Sequence, residues 1–361
     1  MSAPRDTHPL WRPEPRRIAV FRALQLGDLL CSVPALRALR SRFPRAHITL
    51  IGLPGAAGFQ QRFGRYLDAL APFPGVRGMP EQPPREKALP AFYEWARAQD
   101  FDVALQLHGD GSTTNEIVRK LGARRIAGFQ PGPTPQAEDN AWWMPWPDHL
   151  LEAERYLALM RFLDVPGASS DLEFPLTEAD RDAAESVARA EGLRPGRTVL
   201  VHPGARLASR RWPAERYAAV ASVFAGAGYD VALTGSDEER ALTRKVAALA
   251  TEPVRDLAGR TGLGALAALV ARSRLLICND TGVSHVAAAV RTPSVVIASG
   301  SDVHRWAPAD RCRHVVLWHD VACRPCAHPA CPIGHPCALG VKASDVIRQA
   351  EHMLSKELSY A

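Results

Sequence analysis

The residues best suited to chemistry lie where an apolar run ends and a helix-forming run begins. Leu275 to Cys278 is followed by Asn279-Asp280-Thr281-Gly282 and then by an alanine-rich run from Val283 to Val290. A strand, a tight turn and a helix in that order leave unpaired N–H groups and about half a positive charge at the helix start, so a phosphate can dock there with few side chains. Thr281 would add a hydroxyl and Gly282 a close main-chain approach. Asp280 would repel phosphates, so hydrogen bonding to main chain or to a ligand hydroxyl suits it better. An ordinary helix cap uses the same residues. Further upstream, His202-Pro203-Gly204-Ala205 leads into Ser209-Arg210-Arg211-Trp212-Pro213. Two adjacent guanidinium groups before a proline-opened helix could clamp a phosphate bidentately, or could form a solvated basic loop. Thr234-Gly235-Ser236-Asp237-Glu238-Glu239 follows another apolar run. A carboxylate there can accept hydrogen bonds from ribose hydroxyls, although helix starts collect acidic residues without any ligand.

Near the N-terminus, Asp28 follows the loop from Arg22 to Gly27. A carboxylate so placed could act as general base on a hydroxyl, or could simply cap the helix behind it. A fifth constellation is Cys323-x2-Cys326-x4-Cys331-x5-Cys337, with His328 and His335 interleaved. Its spacing suits a structural zinc or an iron–sulfur centre; reduced thiols packed against a domain edge are the alternative.

Alternating β and α elements are needed to position these groups. Ile18–Phe21, His47–Ile51, Phe101–Leu107 and Arg125–Phe129 read as strands, and the stretches 28–42, 59–70, 89–98, 115–121 and 149–163 as helices. Pro34 falls within the early turns of the first helix, and the proline-rich stretch up to Pro147 reads as loop. In the second half, Thr198–His202, Tyr229–Thr234, Leu275–Cys278 and Ser294–Ala298 read as strands, with helices at 213–225, 238–249, 263–271 and 283–290. Such alternation means βαβ units and parallel, doubly wound sheets. The expected organisation is a disordered lead-in at 1–16, a first Rossmann-like domain at 17–170 and a linker at 171–195. A second Rossmann-like domain at 196–345 would include the Cys-rich segment 323–337, and 346–361 would form a C-terminal helix. Ligands of two such domains bind in a cleft between the carboxyl ends of the sheets.

The 361 residues are 47% hydrophobic and 23% charged, an ordinary globular composition, and the net charge of +6 favours anionic partners such as nucleotides, phosphorylated glycans or an acidic membrane surface. Basic residues are not interleaved with aromatics, which argues against nucleic acid. No apolar run approaches the roughly 18 residues of a membrane span, and no signal-like segment opens the chain, so a cytoplasmic protein without structural disulfides is expected.

In order and at these separations, the motifs resemble glycosyltransferase family nine, the heptosyltransferases of the bacterial lipopolysaccharide inner core. The carriers are Gly27-Asp28-Leu29 with Pro34-Ala35-Leu36, His202-Pro203-Gly204-Ala205 with Arg211-Trp212-Pro213, Leu233-Thr234-Gly235 with Glu238-Glu239, and Asn279-Asp280-Thr281-Gly282 with Ser284-His285-Ala287-Ala288. The resemblance runs from about Ile18 to Val346. It implies a GT-B fold with two facing domains, the acceptor on the first and the nucleotide sugar on the second. It implies inverting transfer of a sugar, heptose from ADP-heptose being the expected donor, to a lipid-linked saccharide acceptor at the cytoplasmic membrane face, with no cofactor required. Asp28 would be the general base. Arg210, where the family usually has Lys, would contact the diphosphate, with Arg211 beside it. Asp280, Thr281, Gly282 and His285 would bind diphosphate and nucleotide, and Glu238 or Glu239 the ribose. Similar Cys-rich tails occur in some relatives. Rival readings are the same fold with another nucleotide sugar and glycan, a non-catalytic nucleotide-sugar-binding protein, or an epimerase or hydrolase that draws on His108 and His285.

Overall fold

A computed structural model describes residues 8–357 apart from 135, 139, 168 and 327. The chain divides between Ser170 and Asp171 into two units, each built on its own sheet. The first sheet is ordered β3-β2-β1-β4-β5-β7-β6, from β1 (Arg17–Phe21), β2 (His47–Gly52), β3 (Ala69–Pro72), β4 (Val103–Gln106), β5 (Arg125–Gln130), β6 (Gln136–Glu138) and β7 (Ala141–Pro145). All its pairings are parallel except that of β6 with β7. The second sheet is ordered β10-β9-β8-β11-β12-β13, from β8 (Thr198–His202), β9 (Asp230–Leu233), β10 (Arg255–Asp256), β11 (Leu275–Asn279), β12 (Ser294–Ile297) and β13 (His314–Leu317), and is parallel throughout. Both units therefore reverse their winding at one point, between β1 and β4 and between β8 and β11. Ligands of open α/β sheets bind beyond the strand carboxyl ends at such a point. The expected α/β class of two doubly wound, Rossmann-like units is the observed one.

Strands buried on both faces are apolar through their centres, and these are, with polar residues at their ends. In the second unit Val199, Val201, Leu275, Ile277, Val295 and Ile297 pack into one core with helices Ala214–Gly226 and Ala343–Glu357. Their alternates Leu200, Leu276, Cys278 and Val296 pack into the other with helices Glu178–Ala190, Leu263–Ala271 and Gly282–Ala289.

Several expectations change. Residues 1–7 lie outside the described part, but residues 8–16, expected to be a disordered lead-in, are ordered. A 3-10 turn at Pro9–Trp11 buries Leu10 and Trp11, and Trp11 Nε1 donates to the Leu163 carbonyl at 2.5 Å. Proline content suggested disorder; two large apolar side chains with a core to enter outweigh it. The helix expected at 59–70 ends at Arg62, and Ala69–Pro72 extends the sheet beside β2. The loop expected before Pro147 contains β6 and β7. Its prolines leave the parallel pairing of β7 with β5 intact because Pro145 ends the strand. Pro34 is the ninth residue of helix Leu26–Arg42, well past the first turn, where it removes an interior hydrogen bond. Segment 171–195 is more than a linker. Its helix Glu178–Ala190 inserts Ala184 and Ala188 into the second unit's core against helix Leu263–Ala271. The C-terminal helix begins at Ala343 and seats Val346, Ala350, Met353 and Leu354 on the second unit.

Candidate functional site

In the first unit the carboxyl end of β1 leads through Arg22–Gln25 into helix Leu26–Arg42, with Asp28 in the first turn; Gln25 holds the cap position expected of Asp28. Asp28 is half-buried, and its main chain is clamped from below. Arg22, fully buried, donates from Nε at 2.8 Å and again from Nη2 to the Asp28 carbonyl, and from Nη1 to the Leu107 carbonyl and, at 2.5 Å, to Tyr156 Oη. Its charge is balanced by Glu152 Oε1 at 3.6 Å, which also accepts from Tyr156 Oη; Arg155 lies 3.7 Å from Glu152. Burial works against the Arg22 cation, but Tyr156, Glu152 and Asp28 outweigh it and hold the guanidinium charged. His108, at the end of β4, stacks on Phe21 at 5.6 Å and takes the Ala23 N–H on Nδ1 at 3.3 Å. Gln106 fixes that second loop by donating to the His108 carbonyl at 2.5 Å and to Thr114 Oγ1 at 2.6 Å. The base candidate thus sits on a turn whose path is set by buried hydrogen bonds from β1, β4 and helix Glu152–Phe162. Arg22 and Glu152 were missed from sequence; nothing local ties residues 130 positions apart.

In the second unit Asn279, fully buried at the end of β11, plays the corresponding part. Its Nδ2 donates to the Pro203 carbonyl at 2.8 Å and the Gly204 carbonyl at 3.2 Å, and its Oδ1 accepts from Trp212 N at 3.0 Å. One side chain thereby joins the loop after β8, the arginine loop and the start of the Asp280-Thr281-Gly282 turn. Arg211 Nε donates to the Ala205 carbonyl at 2.8 Å. Arg210 Nη2 donates to the Cys326 carbonyl at 2.6 Å, while its buried Nη1 has no partner. Burial pushes the Arg210 guanidinium down, with Asp280 opposing. Thr281 caps helix Gly282–Ala289 without a side-chain cap bond, and its buried Oγ1 is likewise unpartnered. His285 is buried on that helix, edge-on to Trp306 with ring centres 6.2 Å apart. Arg210, Arg211, Asp280, Thr281 and Gly282 are therefore brought to one strand-end region, with His285 one turn behind.

Glu238 and Glu239 separate. Glu239 turns inward: its carboxylate takes the Ser236 N–H at 2.8 Å and stands 3.9 Å from His202 Nε2. Gly204 leaves room for it, since a Cβ there would stand 2.0 Å from Glu239 Oε1 and the carboxylate would have to move. Burial pushes the His202 imidazole down, with Glu239 pulling it up; the ring is neutral at neutral pH and bonds Thr234 Oγ1 through Nδ1 at 3.0 Å. Glu238 is exposed, its carboxyl held below the usual range first by the Ser236 hydroxyl.

The Cys-rich segment straps across the arginine loop. Ser209 N donates to the Pro329 carbonyl at 3.1 Å, His335 Nε2 meets the Ser209 carbonyl at 2.8 Å, and Cys326 N donates to the Gly300 carbonyl at 2.7 Å. The four thiols are free: Cys323 is exposed, Cys326 and Cys331 are half-buried, and Cys337 is buried with its thiol pushed up by that burial. Cys331 Sγ accepts the His335 N–H at 3.1 Å. Among the described residues no group of three His, Cys, Asp or Glu side chains is placed to hold a metal ion. The strap is held by its main chain and by the side chains of His335 and Arg324.

A parallel sheet wound in both directions, with a helix start and cationic side chains gathered at its switch point, is an arrangement on which α/β folds bind anionic ligands. The chain belongs to glycosyltransferase family 9 (heptosyltransferase), whose family model matches residues 91–336, and it is a glycosyltransferase of GT-B fold. It is 21% identical over 319 residues to the lipopolysaccharide core heptosyltransferase OpsX of Haemophilus influenzae, covering 85% of this chain and 86% of that one. It is 27% identical over 299 residues to lipopolysaccharide heptosyltransferase 2 of Salmonella typhimurium, covering 78% and 82%. In fold it is similar to the glycosyl transferase family 9 structure from Veillonella parvula, with a TM-score of 0.76 at 23% identity, covering 94% and 98%.

Proposed function

We propose that this glycosyltransferase transfers heptose, with inversion, from ADP-heptose or a close analogue to a lipopolysaccharide-core or related glycan acceptor. The observation that carries the reading is the helix start at Thr281-Gly282, whose orphaned hydroxyl lies with the partnerless Nη1 of Arg210 in one strand-end region of the second unit. Hydrogen-bond donors left unpaired in a buried site are matched by a ligand rich in acceptors. The lipopolysaccharide heptosyltransferases among its relatives support the sugar and the acceptor.

In this reading the Asp28 carboxylate takes the proton of the acceptor hydroxyl while that oxygen bonds to the anomeric carbon. The anomeric C–O bond to the diphosphate breaks, its electron pair leaving on the diphosphate oxygen. Arg210, Arg211 and the helix start meet that growing charge, which is electrostatic stabilisation aimed at the transition state. Asp280 and His285 contact the nucleotide and Glu238 or Glu239 the ribose. The inward carboxylate of Glu239 lies nearer the loop after β8, and the exposed one of Glu238 is freer to move. Among the described residues no helix is long and apolar enough to cross a membrane, and the net charge of +6 supports peripheral contact with an acidic cytoplasmic membrane face.

The test is Asp28→Asn. We expect transfer to fall by about a hundred- to ten-thousand-fold, the usual effect of a lost general base, with nucleoside-diphosphate affinity within a few-fold of wild type. An Asn variant with near-normal turnover would reduce Asp28 to a residue of the first helical turn and remove the proposed base.

A further inference from the structure

Five buried side-chain donors without partners fall on the loop after β8, at the carboxyl ends of β11 and β12, and on the strap that crosses them: Arg210 Nη1, Thr281 Oγ1, Ser299 Oγ, Ser301 Oγ and Arg324 Nε. Ser299 is 1% and Ser301 4% exposed. The five belong to one hydrogen-bonded neighbourhood. Arg210 Nη2 reaches the Cys326 carbonyl at 2.6 Å, Cys326 N reaches the Gly300 carbonyl at 2.7 Å, and Asp280 N reaches the Ile297 carbonyl at 3.0 Å. Arg324 Nη1 donates to the Ser301 carbonyl, and its Nη2 to the Ala298 carbonyl at 2.9 Å and the His319 carbonyl at 3.2 Å. Gly300, at φ +67°, lets the strap close over this turn, because a Cβ there would stand 3.0 Å from Cys326 Cβ.

The chemistry of the set is one-sided. At Arg210 burial works against the cation, Asp280 opposes that, and the neighbouring Arg324 guanidinium adds to it. Arg324 donates to the main-chain carbonyls of Ser301, Ala298 and His319, which carry no countercharge. Buried donors are as a rule paired, so several orphaned ones gathered in one place point to a partner rich in acceptors.

We propose that Ser299, Ser301 and Arg324 form the second half of a diphosphate cradle whose first half is Arg210 and Thr281. The turn after β12 and the Cys-rich strap then belong to the donor site: the hydroxyls and Arg324 Nε donate to the non-bridging oxygens, and the strap's main chain fixes both arginines. This rests on the reading of the second unit as the nucleotide-sugar site, and it assigns the strap a part in binding that its thiols do not have.

The test is calorimetry with ADP, inorganic pyrophosphate and adenosine on wild type, on Ser299→Ala/Ser301→Ala and on Arg324→Gln, with melting temperatures beside it. The double variant removes only orphaned hydroxyls, so its melting temperature should equal or exceed that of wild type. Its affinity for ADP and pyrophosphate should fall about tenfold or more, the effect of one charge-assisted hydrogen bond, and adenosine should be unaffected. Arg324→Gln should lower the ADP and pyrophosphate affinities further and spare adenosine, but it should also lower the melting temperature, because its guanidinium holds the Ser301, Ala298 and His319 carbonyls. ADP affinity within twofold of wild type in a folded double variant would overturn the cradle and leave these donors to water. If wild type binds UDP, GDP or dTDP in place of ADP and the double variant loses that binding, the cradle stands and the adenine assignment fails. Wild type that binds no nucleoside diphosphate overturns both.

Discussion

Arg22→Lys tests whether the buried network of the first unit positions the proposed base. Arg22 spans two places at once: Nε and Nη2 hold the Asp28 carbonyl, while Nη1 holds the Leu107 carbonyl and Tyr156 Oη. A lysine keeps the charge opposite Glu152 but has one nitrogen, which cannot serve both sides. At least one buried main-chain carbonyl is then orphaned, at about 1–3 kcal/mol, and the charged hydrogen bond that is lost weakens the turn further. A loss of roughly 2–3 kcal/mol in a unit of about 170 residues corresponds to a fall of about 5–10 °C in its melting temperature. Thermal unfolding by circular dichroism and steady-state kinetics would be measured together. We expect kcat to drop tenfold or more, with nucleoside-diphosphate affinity unchanged because its residues belong to the other unit. Tyr156→Phe, which removes one hydroxyl from the same network, should show a smaller effect in the same direction. A lysine variant as stable and as fast as wild type would refute the idea that Arg22 holds Asp28 in place. A parallel loss of diphosphate binding would show that the damage is not confined to that turn.

Three further outcomes can be checked. Arg210→Ala should weaken a nucleoside diphosphate by roughly 1.5–3 kcal/mol and spare the bare nucleoside; equal losses for both ligands by calorimetry would move the phosphate contact to Arg211. His314, buried against Ser294 with Nδ1 and Oγ 2.9 Å apart, is pushed by burial from 6.5 to about 4. Between those values the unfolded chain binds the proton and the folded chain does not. Stability should therefore fall by roughly 3 kcal/mol as pH drops from about 6.5 to 4, and His314→Asn should flatten that slope in urea titrations; an unchanged slope would exclude His314 as its source. Cys326→Ser should leave transfer within a few-fold of wild type, since Cys326 meets Arg210 and Gly300 through its main chain; loss of transfer at an unchanged melting temperature would show that the thiol takes part.

The long apolar strands were legible because a strand buried on both faces has no polar position at its centre to blur it. β1, β8 and β11 were read within a residue or two of their observed ends for that reason. β3, β7 and β13 were not. β3 follows a short helix whose periodicity runs on into a turn, β7 is masked by the prolines around it, and β13 has a histidine and half-buried positions at the sheet edge. The turns at Asp28 and at Asp280-Thr281-Gly282 could be found because glycine, a small hydroxyl and a carboxylate must cluster where a strand turns into a helix. The pairing of Arg22 with Glu152 and the closing of the strap over Arg210 could not be found. They join residues more than a hundred positions apart, and each partner taken alone reads as a solvated charge.

The two switch points are built alike. In the first unit Arg22 and Gln106, and in the second Asn279, are buried polar side chains that spend their hydrogen bonds on the main chain of the loops above them. These residues are satisfied in the free protein, so removing one damages the geometry of a loop and lowers stability and function together. Thr281, Ser299 and Ser301 each carry a hydroxyl donor with nothing to meet. Removing such a donor relieves the free protein and weakens the bound one. The sign of the stability change therefore separates residues that shape the site from residues that bind in it. Asn279→Ala should lower the melting temperature with or without ligand, whereas the serine variants should lower only the rise in melting temperature that a bound nucleoside diphosphate produces.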